Sequence, residues 1–233
     1  MAKPAFSTVD KEPLSHNLLG QRLGRKGRDT RERILAATER LLAGPPDTAI
    51  SLSGVAREAS LAMTTLYLYF GDLTELLVAV LEPIMASAED AFVAHLRRRW
   101  PDEQLGEHCL RFVEAYYNFW KRHSRILHLR NNFADNNDER MRLHRISAAQ
   151  PVISLLVQQV GDVPAIRHVP VVSLATVLMT GLERVVTVAT DAYLPRMVAR
   201  DLAPHVYDLL AAEAWVLELS IRNARETAQR GRL

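Results

Sequence analysis

The sequence predicts an all-α fold in two parts, a small N-terminal three-helix unit and a larger C-terminal helical one. Three observations carry this expectation. Apolar residues recur at helical spacing through most of the 233 residues, the period of helices that bury one face. Residues 51–70 divide into two short helical pieces around a break too short to be a linker. The last two long apolar patterns, from Val169 and from about Pro204, hold more apolar surface than one core can cover. A hydrophobic content of 48% with 24% charged residues is ordinary for a globular chain, and the length suits one large or two modest domains.

From Met1 to Gly27 there is no helical period, and Pro4, Pro13, Gly20, Gly24 and Gly27 interrupt the chain. Residues 1–27 are expected to form a basic arm. The segment Gln21–Arg33 holds six basic residues against two acidic ones, a net +4, although the whole chain carries only +2. Such an arm can follow phosphates or enter a minor groove. The first helix is expected to begin at Asp29 or Thr30, with Asp29 and Glu32 spaced as a capping box. It buries Ile34, Leu35, Thr38, Leu41 and Leu42 and stops at Gly44-Pro45-Pro46. In the next piece Leu52, Val55, Ala56 and Ala59 line one face, with Ser51 placed to cap it. After Ser60-Leu61-Ala62, Leu66, Tyr69 and Phe70 renew the buried stripe, and Met63, Thr64, Thr65, Tyr67 and Leu68 fall largely off it. A helix, a tight turn and a second helix with a free outer face is the plan of a helix-turn-helix DNA reader. A fourth helix is expected from Gly71 or Asp72, its N-terminus available to a phosphate.

Thr65-Leu66-Tyr67, one intervening residue, Tyr69-Phe70 and then Leu76-Leu77 resemble the signature of the TetR-type (tetracycline-repressor-like) transcriptional regulators. The match runs from about Thr30 to Leu81. The resemblance implies an all-helical homodimer with a DNA-binding domain at residues 28–72 and a ligand-binding and dimerisation domain at residues 73–233. It further implies a ligand-responsive regulator, a repressor, that meets a near-palindromic double-stranded DNA operator as a dimer and is released by a small apolar or aromatic effector. The DNA-binding residues it points to are Arg28, Thr30, Ser51, Ser53, Met63, Thr64, Thr65, Tyr67, Leu68 and Tyr69. Thr65 and Tyr67 would bond bases or phosphates, Tyr69 a phosphate, and Met63 and Leu68 thymine methyls, with Ser51 and Ser53 anchoring the backbone. The chain departs from the family pattern at four positions: Ser60 replaces the turn glycine, Ala62 the following serine, Leu73 a phosphate-binding lysine and Leu68 a polar residue.

Beyond Leu81, Pro83 reads as a restart or kink before an apolar pattern over Ile84–Trp100. Arg97-Arg98-Arg99 reads as a solvated helix end. In the next helix Phe112, Tyr116 and Trp120 recur at i, i+4 and i+8. An aromatic stripe is usually plain core. The hollow C-terminal core implied by the resemblance makes it a pocket wall, with His123, Phe133, Met141, His144 and Met179 as further ligand-binding candidates. Asn131–Asp138 is turn-rich, a lid or a surface connection. Asp138–Val160 is expected to be helical through or around Pro151, and Gly161-Asp162-Val163-Pro164 closes it. Val169–Leu194 is apolar nearly all round, but Glu183 and Arg184 interrupt it after about fourteen residues, short of the ~20 that a bilayer requires. A last helix, Pro204–Arg225, has two apolar sides and precedes a polar, frayed tail. These two helices are expected to form the homodimer seam rather than a membrane span.

Enzymatic chemistry finds no footing. There is no P-loop, GxGxxG or GxSxG pattern, and the histidines at 108, 123, 128, 144, 168 and 205 form no i, i+4 pair for a metal. Cys109 is the single cysteine, so neither a disulfide nor a cysteine zinc site can form within the chain. No cofactor and no metal are expected. Met1–Gly20 lacks the apolar run of a signal peptide, which makes the cytoplasm the expected compartment. The competing reading is a helical small-molecule-binding or enzyme-like protein with a vestigial helix-turn-helix.

Overall fold

A computed structural model describes residues 23–45, 47–161, 165–166, 168–192 and 205–230. Among these the chain is all-α, with ten α-helices and one two-stranded antiparallel hairpin. They fall into two compact units divided after Val80.

The first unit contains α1 (Arg25–Ala43), α2 (Leu52–Glu58), α3 (Met63–Tyr67) and the start of α4 (Leu73–Ala86). Ile34, Ala37, Val55, Ala56, Ala59, Leu66, Phe70 and Leu76 form its buried core. The helix α1 begins four residues before the expected Asp29, and no side chain caps it; the predicted Asp29–Glu32 capping box is not the start. The reason lies in Leu23, which is buried, lies against Gly27 and has its carbonyl held by Arg28 Nη1 at 3.3 Å. That contact fixes the chain entry one turn earlier and draws Arg25, Lys26 and Gly27, expected in the arm, into the helix. Arg40 Nε donates to Glu58 Oε1 at 2.7 Å, joining α1 to α2 at the surface.

The turn after α2 is a Schellman motif. Leu61 N–H donates to Ala56 O at 2.8 Å and Ser60 N–H to Arg57 O at 3.0 Å, while Leu61 packs inward on the core. Closing this turn puts Ser60 at φ 52, in the left-handed region that disfavours any residue with a Cβ. The Ser60→Gly variant is therefore expected to gain about 0.5–1 kcal/mol, the strain relief exceeding the added freedom of the unfolded chain. A rise in urea midpoint at constant m-value would show this; a fall would mean that the serine side chain contributes more than its backbone costs.

The second unit contains the end of α4, α5 (Ala88–Ala91), α6 (Leu105–Arg122), α7 (Ser124–Asp135), α8 (Glu139–Val160), the hairpin β1 (Ala165–Ile166) and β2 (Val169–Pro170), α9 (Val171–Ala189) and α10 (Val206–Arg230). Pro83 lies inside α4, which continues to Ala86. The apolar pattern expected over Ile84–Trp100 is broken into α5 and a 3-10 turn at Val93–Leu96. The predicted turn segment Asn131–Asp138 is helical as far as Asp135, because Ile126, Leu127, Arg130 and Ala134 make a buried stripe in which an arginine occupies one place. Asp138 accepts from Met141 N–H and starts α8, which runs through Pro151 without interruption. The tail expected to fray from Glu226 is helical to Arg230. Residues 193–204, where the sequence places the end of one helix and the start of the next, lie outside the described residues.

Helix α9 is 19 residues long with a mean hydropathy of 1.6, long and apolar enough to cross a bilayer. Its Ala175, Leu178, Met179, Leu182 and Val186 side is buried, and it packs with α6, α8 and α10. Glu183 on the same helix holds the buried Arg130 at 2.8 Å. One side of α9 is thus engaged within its own unit.

At the end of α9, Thr190 hydrogen-bonds His128 Nε2 at 3.1 Å, and the His128 ring meets Trp120 edge-on. Burial lowers the His128 pKa, against the opposing pull of Asp191 and Thr190. Burial, then the nearby Arg122, lowers that of His123 too. The unfolded chain thus takes up these protons first. Their contribution to stability is complete above the ordinary histidine pKa of about 6.5 and is lost as pH falls below it. Urea titrations are expected to give a falling stability from neutral pH toward pH ~5, and a His128→Gln variant a shallower slope.

Candidate nucleic-acid interface

The helix-turn-helix exists, but its second helix is shorter than the sequence suggested: α3 ends at Tyr67, and Leu68 is its C-cap. Leu66 is wholly buried and fixes the rotation of α3. With Leu66 inward, Thr64, Tyr67 and Leu68 face outward; Tyr67 is 49% and Leu68 38% exposed. Met63, Thr65 and Tyr69 are half-buried, and Met63 and Tyr69 pack partly on the core. The outer face is therefore narrower than expected and centres on Thr64 and Tyr67. No side chain caps the N-terminus of α3, as Ala62 at that position requires.

Ser51 caps α2, its Oγ accepting from Gly54 N–H at 3.1 Å, and it shares a 3.1 Å hydrogen bond with the exposed Ser53 hydroxyl. Thr30 donates back to Lys26 O at 2.9 Å, which leaves its oxygen as an acceptor only. Arg28 is exposed. The expectation that the N-terminus of α4 replaces the missing lysine at Leu73 does not hold. Asp72 Oδ1 accepts from Glu75 N–H at 2.9 Å, and Glu75 Oε2 accepts from Gly71 N–H at 2.7 Å. Two carboxylates already stand at that helix start, and a phosphate would be repelled by both. From Leu23 to Val80 seven basic residues balance seven acidic ones, and five of the seven basic residues lie between Arg25 and Arg33. Positive charge is concentrated at the start of α1.

In the second unit the aromatic stripe is closed. Phe112, Tyr116 and Trp120 are buried and belong to a cluster with Phe92, whose ring meets Tyr116 edge-on at 4.9 Å and Phe119 at 5.1 Å. Tyr116, Trp120 and Met179 line a cavity of ≈ 20 Å³, room for about one water. His144 lines a separate cavity of ≈ 310 Å³. Phe112, His123, Phe133 and Met141 line neither. The same cavities are lined by residues the sequence reading passed over: Met85, Phe92, Arg130, Arg145 and Glu183. Glu183 was the legible one, a carboxylate in an otherwise apolar helix. Burial raises the Cys109 thiol to about 12, which makes it inert. Among the described residues no group of histidine, cysteine and acidic side chains could hold a metal.

A helix-turn-helix unit joined to a larger helical unit defines the class of protein to which this geometry belongs. The fold is that of the TetR-family transcription regulators. The chain is similar to a TetR-family regulator from Marinobacter aquaeolei VT8, at 21% identity and a TM-score of 0.54 over 83% of this chain and 98% of that one. It is likewise similar to a TetR-family regulator from Streptomyces coelicolor, at 17% identity and a TM-score of 0.55 over 88% and 91% of the two chains. No protein-family model matches the sequence, and no curated protein matches it.

Proposed function

We propose that this protein is a DNA-binding transcription regulator, a repressor that binds a near-palindromic operator as a homodimer and is released by a small-molecule effector. Residues 28–72 read DNA, residues 73–233 bind the effector and the partner subunit, and the basic residues ahead of them track phosphates. The observation that carries this is the outward Thr64–Tyr67–Leu68 face on a helix locked in rotation by the wholly buried Leu66. Two dimer-related copies of such a helix, one duplex turn apart, suit two half-sites. Arg25, Lys26 and Arg28 supply the phosphate term that the acidic remainder of the unit lacks. Thr65 and Tyr69, half-buried, serve as backbone contacts, with Ser51, Ser53 and Thr30 beside them; Met63 contributes only its exposed edge.

The test is fluorescence anisotropy with duplex from upstream of its own gene against a scrambled duplex at fixed salt. Tyr67→Ala removes an exposed ring, so its melting temperature and dimer mass should match the parent. Its preference for the upstream duplex should fall by roughly tenfold or more, the worth of one base contact. Undiminished preference would show that α3 is not the reading helix.

A further inference from the structure

We propose that the effector is an amphipathic carboxylate, its apolar body in the ≈ 310 Å³ trough and its acidic head turned toward Arg130 and Arg145. This inference rests on the effector-binding part of the function proposed above and not on the DNA-reading part. The two cavities share three walls, Met85, Phe92 and Ala148, so they adjoin within the second unit. The larger one is of small-ligand size and mostly apolar, with Val93 and Pro151 among its walls. The smaller one carries the charge.

Phe92 is the partition. It sits where α5 gives way to the 3-10 turn, at φ −151 and ψ −27, and its ring leans on Tyr116 and Phe119. Its N–H still donates to Ala88 O at 3.0 Å and its carbonyl accepts from His95 N–H at 3.2 Å, so the backbone is anchored and ring contacts hold the side chain. A rotation of this ring joins trough and chamber.

The choice of an anion follows from the hydrogen-bond count. Arg130 is 4% exposed and, among the described residues, uses two of its five N–H donors, Nε to Asn131 Oδ1 at 3.1 Å and Nη2 to Glu183 Oε1 at 2.8 Å. Among the described residues Arg145 reaches the exposed Asp135, through Nη1 at 2.7 Å. The carboxylates, by contrast, each hold an arginine already. Glu183 accepts from Arg130 and Asn131, and Glu89 in the trough is gripped by Arg97 through Nε at 2.5 Å and Nη2 at 2.7 Å. Arg130 keeps donors to spare, whereas each carboxylate already holds an arginine, so a cationic ligand would compete with a guanidinium for it. Burial, and after it the charge of Arg145, lowers the Arg130 pKa against the pull of Glu183. An arriving carboxylate relieves that repulsion.

Octanoate, octan-1-ol and octylamine share one chain and differ in the head group. Added near neutral pH to the full chain without DNA, octanoate is expected to raise the melting temperature and change tryptophan emission saturably, through Trp120 in the chamber wall. It should bind roughly tenfold or more tightly than the other two. Arg145→Gln, at a partly exposed pair, should leave the free protein's melting temperature in place and abolish the preference. Ala148→Leu, in the shared wall, should weaken all binding. Equal binding of the three, preference for the amine, no binding of any, or an Arg145→Gln variant that keeps the preference would each overturn the proposal. Because no readout involves DNA, these outcomes are independent of whether α3 reads an operator.

Discussion

The Arg225→Ala variant is expected to lose about 3–5 kcal/mol of stability, the cost of emptying a buried polar site of one partner. Arg225 is 3% exposed. Its Nε donates to Gln159 O at 2.9 Å, its Nη1 to Trp100 O at 2.9 Å and to Asp102, and its Nη2 reaches Gln159 Oε1 at 3.4 Å. The Gln159 side chain completes the site: it donates to Leu96 O and Arg98 O, both at 2.8 Å, and accepts from Trp100 N–H at 3.0 Å. Two side chains from α8 and α10 thus satisfy backbone groups of residues 96–100, where one 3-10 turn has ended and the next has not begun. Alanine at 225 strands the Trp100 carbonyl, leaves Gln159 O to Arg99 Nη1 at 3.2 Å alone, and opens a cavity where the guanidinium stood. Urea denaturation measures the loss; less than about 1 kcal/mol would mean that water substitutes fully for the guanidinium. The Arg225 hydrogen bond also holds Asp102 below the usual carboxylate range, so this contribution is present above that range and lost as acid protonates Asp102.

The same node shows what a one-dimensional pattern carries and what it does not. The stripes of α1, α2 and α6 are regular, and their cores were legible from spacing: Ile34, Val55, Ala56, Phe112, Val113 and Trp120 are all buried. Legibility failed where a polar residue occupies an apolar place. Asn131–Asp138 read as turn-rich on its asparagines and aspartates, and the stripe that makes it helical to Asp135 includes Arg130, whose partner Glu183 is 53 residues away. Gln159 and Arg225 likewise look like surface residues until they meet across 66 positions. The outer face of α3 was legible as a set of residues. Its narrowness was not, since the partial burial of Met63 and Thr65 depends on how α3 packs against the other helices. The closure of the aromatic stripe was hidden for a related reason: Phe92, which fills it, lies in a segment whose period suggested one long helix and whose backbone is broken at that residue.

With the dimer and operator proposed above, Trp215→Glu is expected to give a monomer in light scattering and to reduce operator affinity by roughly 10²–10⁴, the gain that joining two half-site readers provides. In α10, Ala211, Ala212, Trp215, Val216 and Leu219 form a continuous exposed stripe, with Trp215 62% exposed. In α9, which packs beside it, Val172 and Val177 are exposed with Thr176 and Thr180 between and after them. An indole and several aliphatic side chains in one patch are more than isolated surface apolar residues, and such a patch marks a protein contact. A large aromatic at its centre fits the anchor position of an interface. The opposite sides of both helices are buried in their own unit, through Leu178, Met179 and Leu182 in α9 and Leu210, Ala214 and Leu217 in α10. A charge at 215 therefore desolvates only if a partner covers it, and the variant should fold with an unchanged melting temperature at low protein concentration. Binding to nonspecific duplex, a phosphate effect of each subunit, should change far less than operator binding. A Trp215→Glu protein that stays dimeric would move the seam elsewhere on the molecule, and a monomeric one with full operator affinity would remove the dimer from the mechanism.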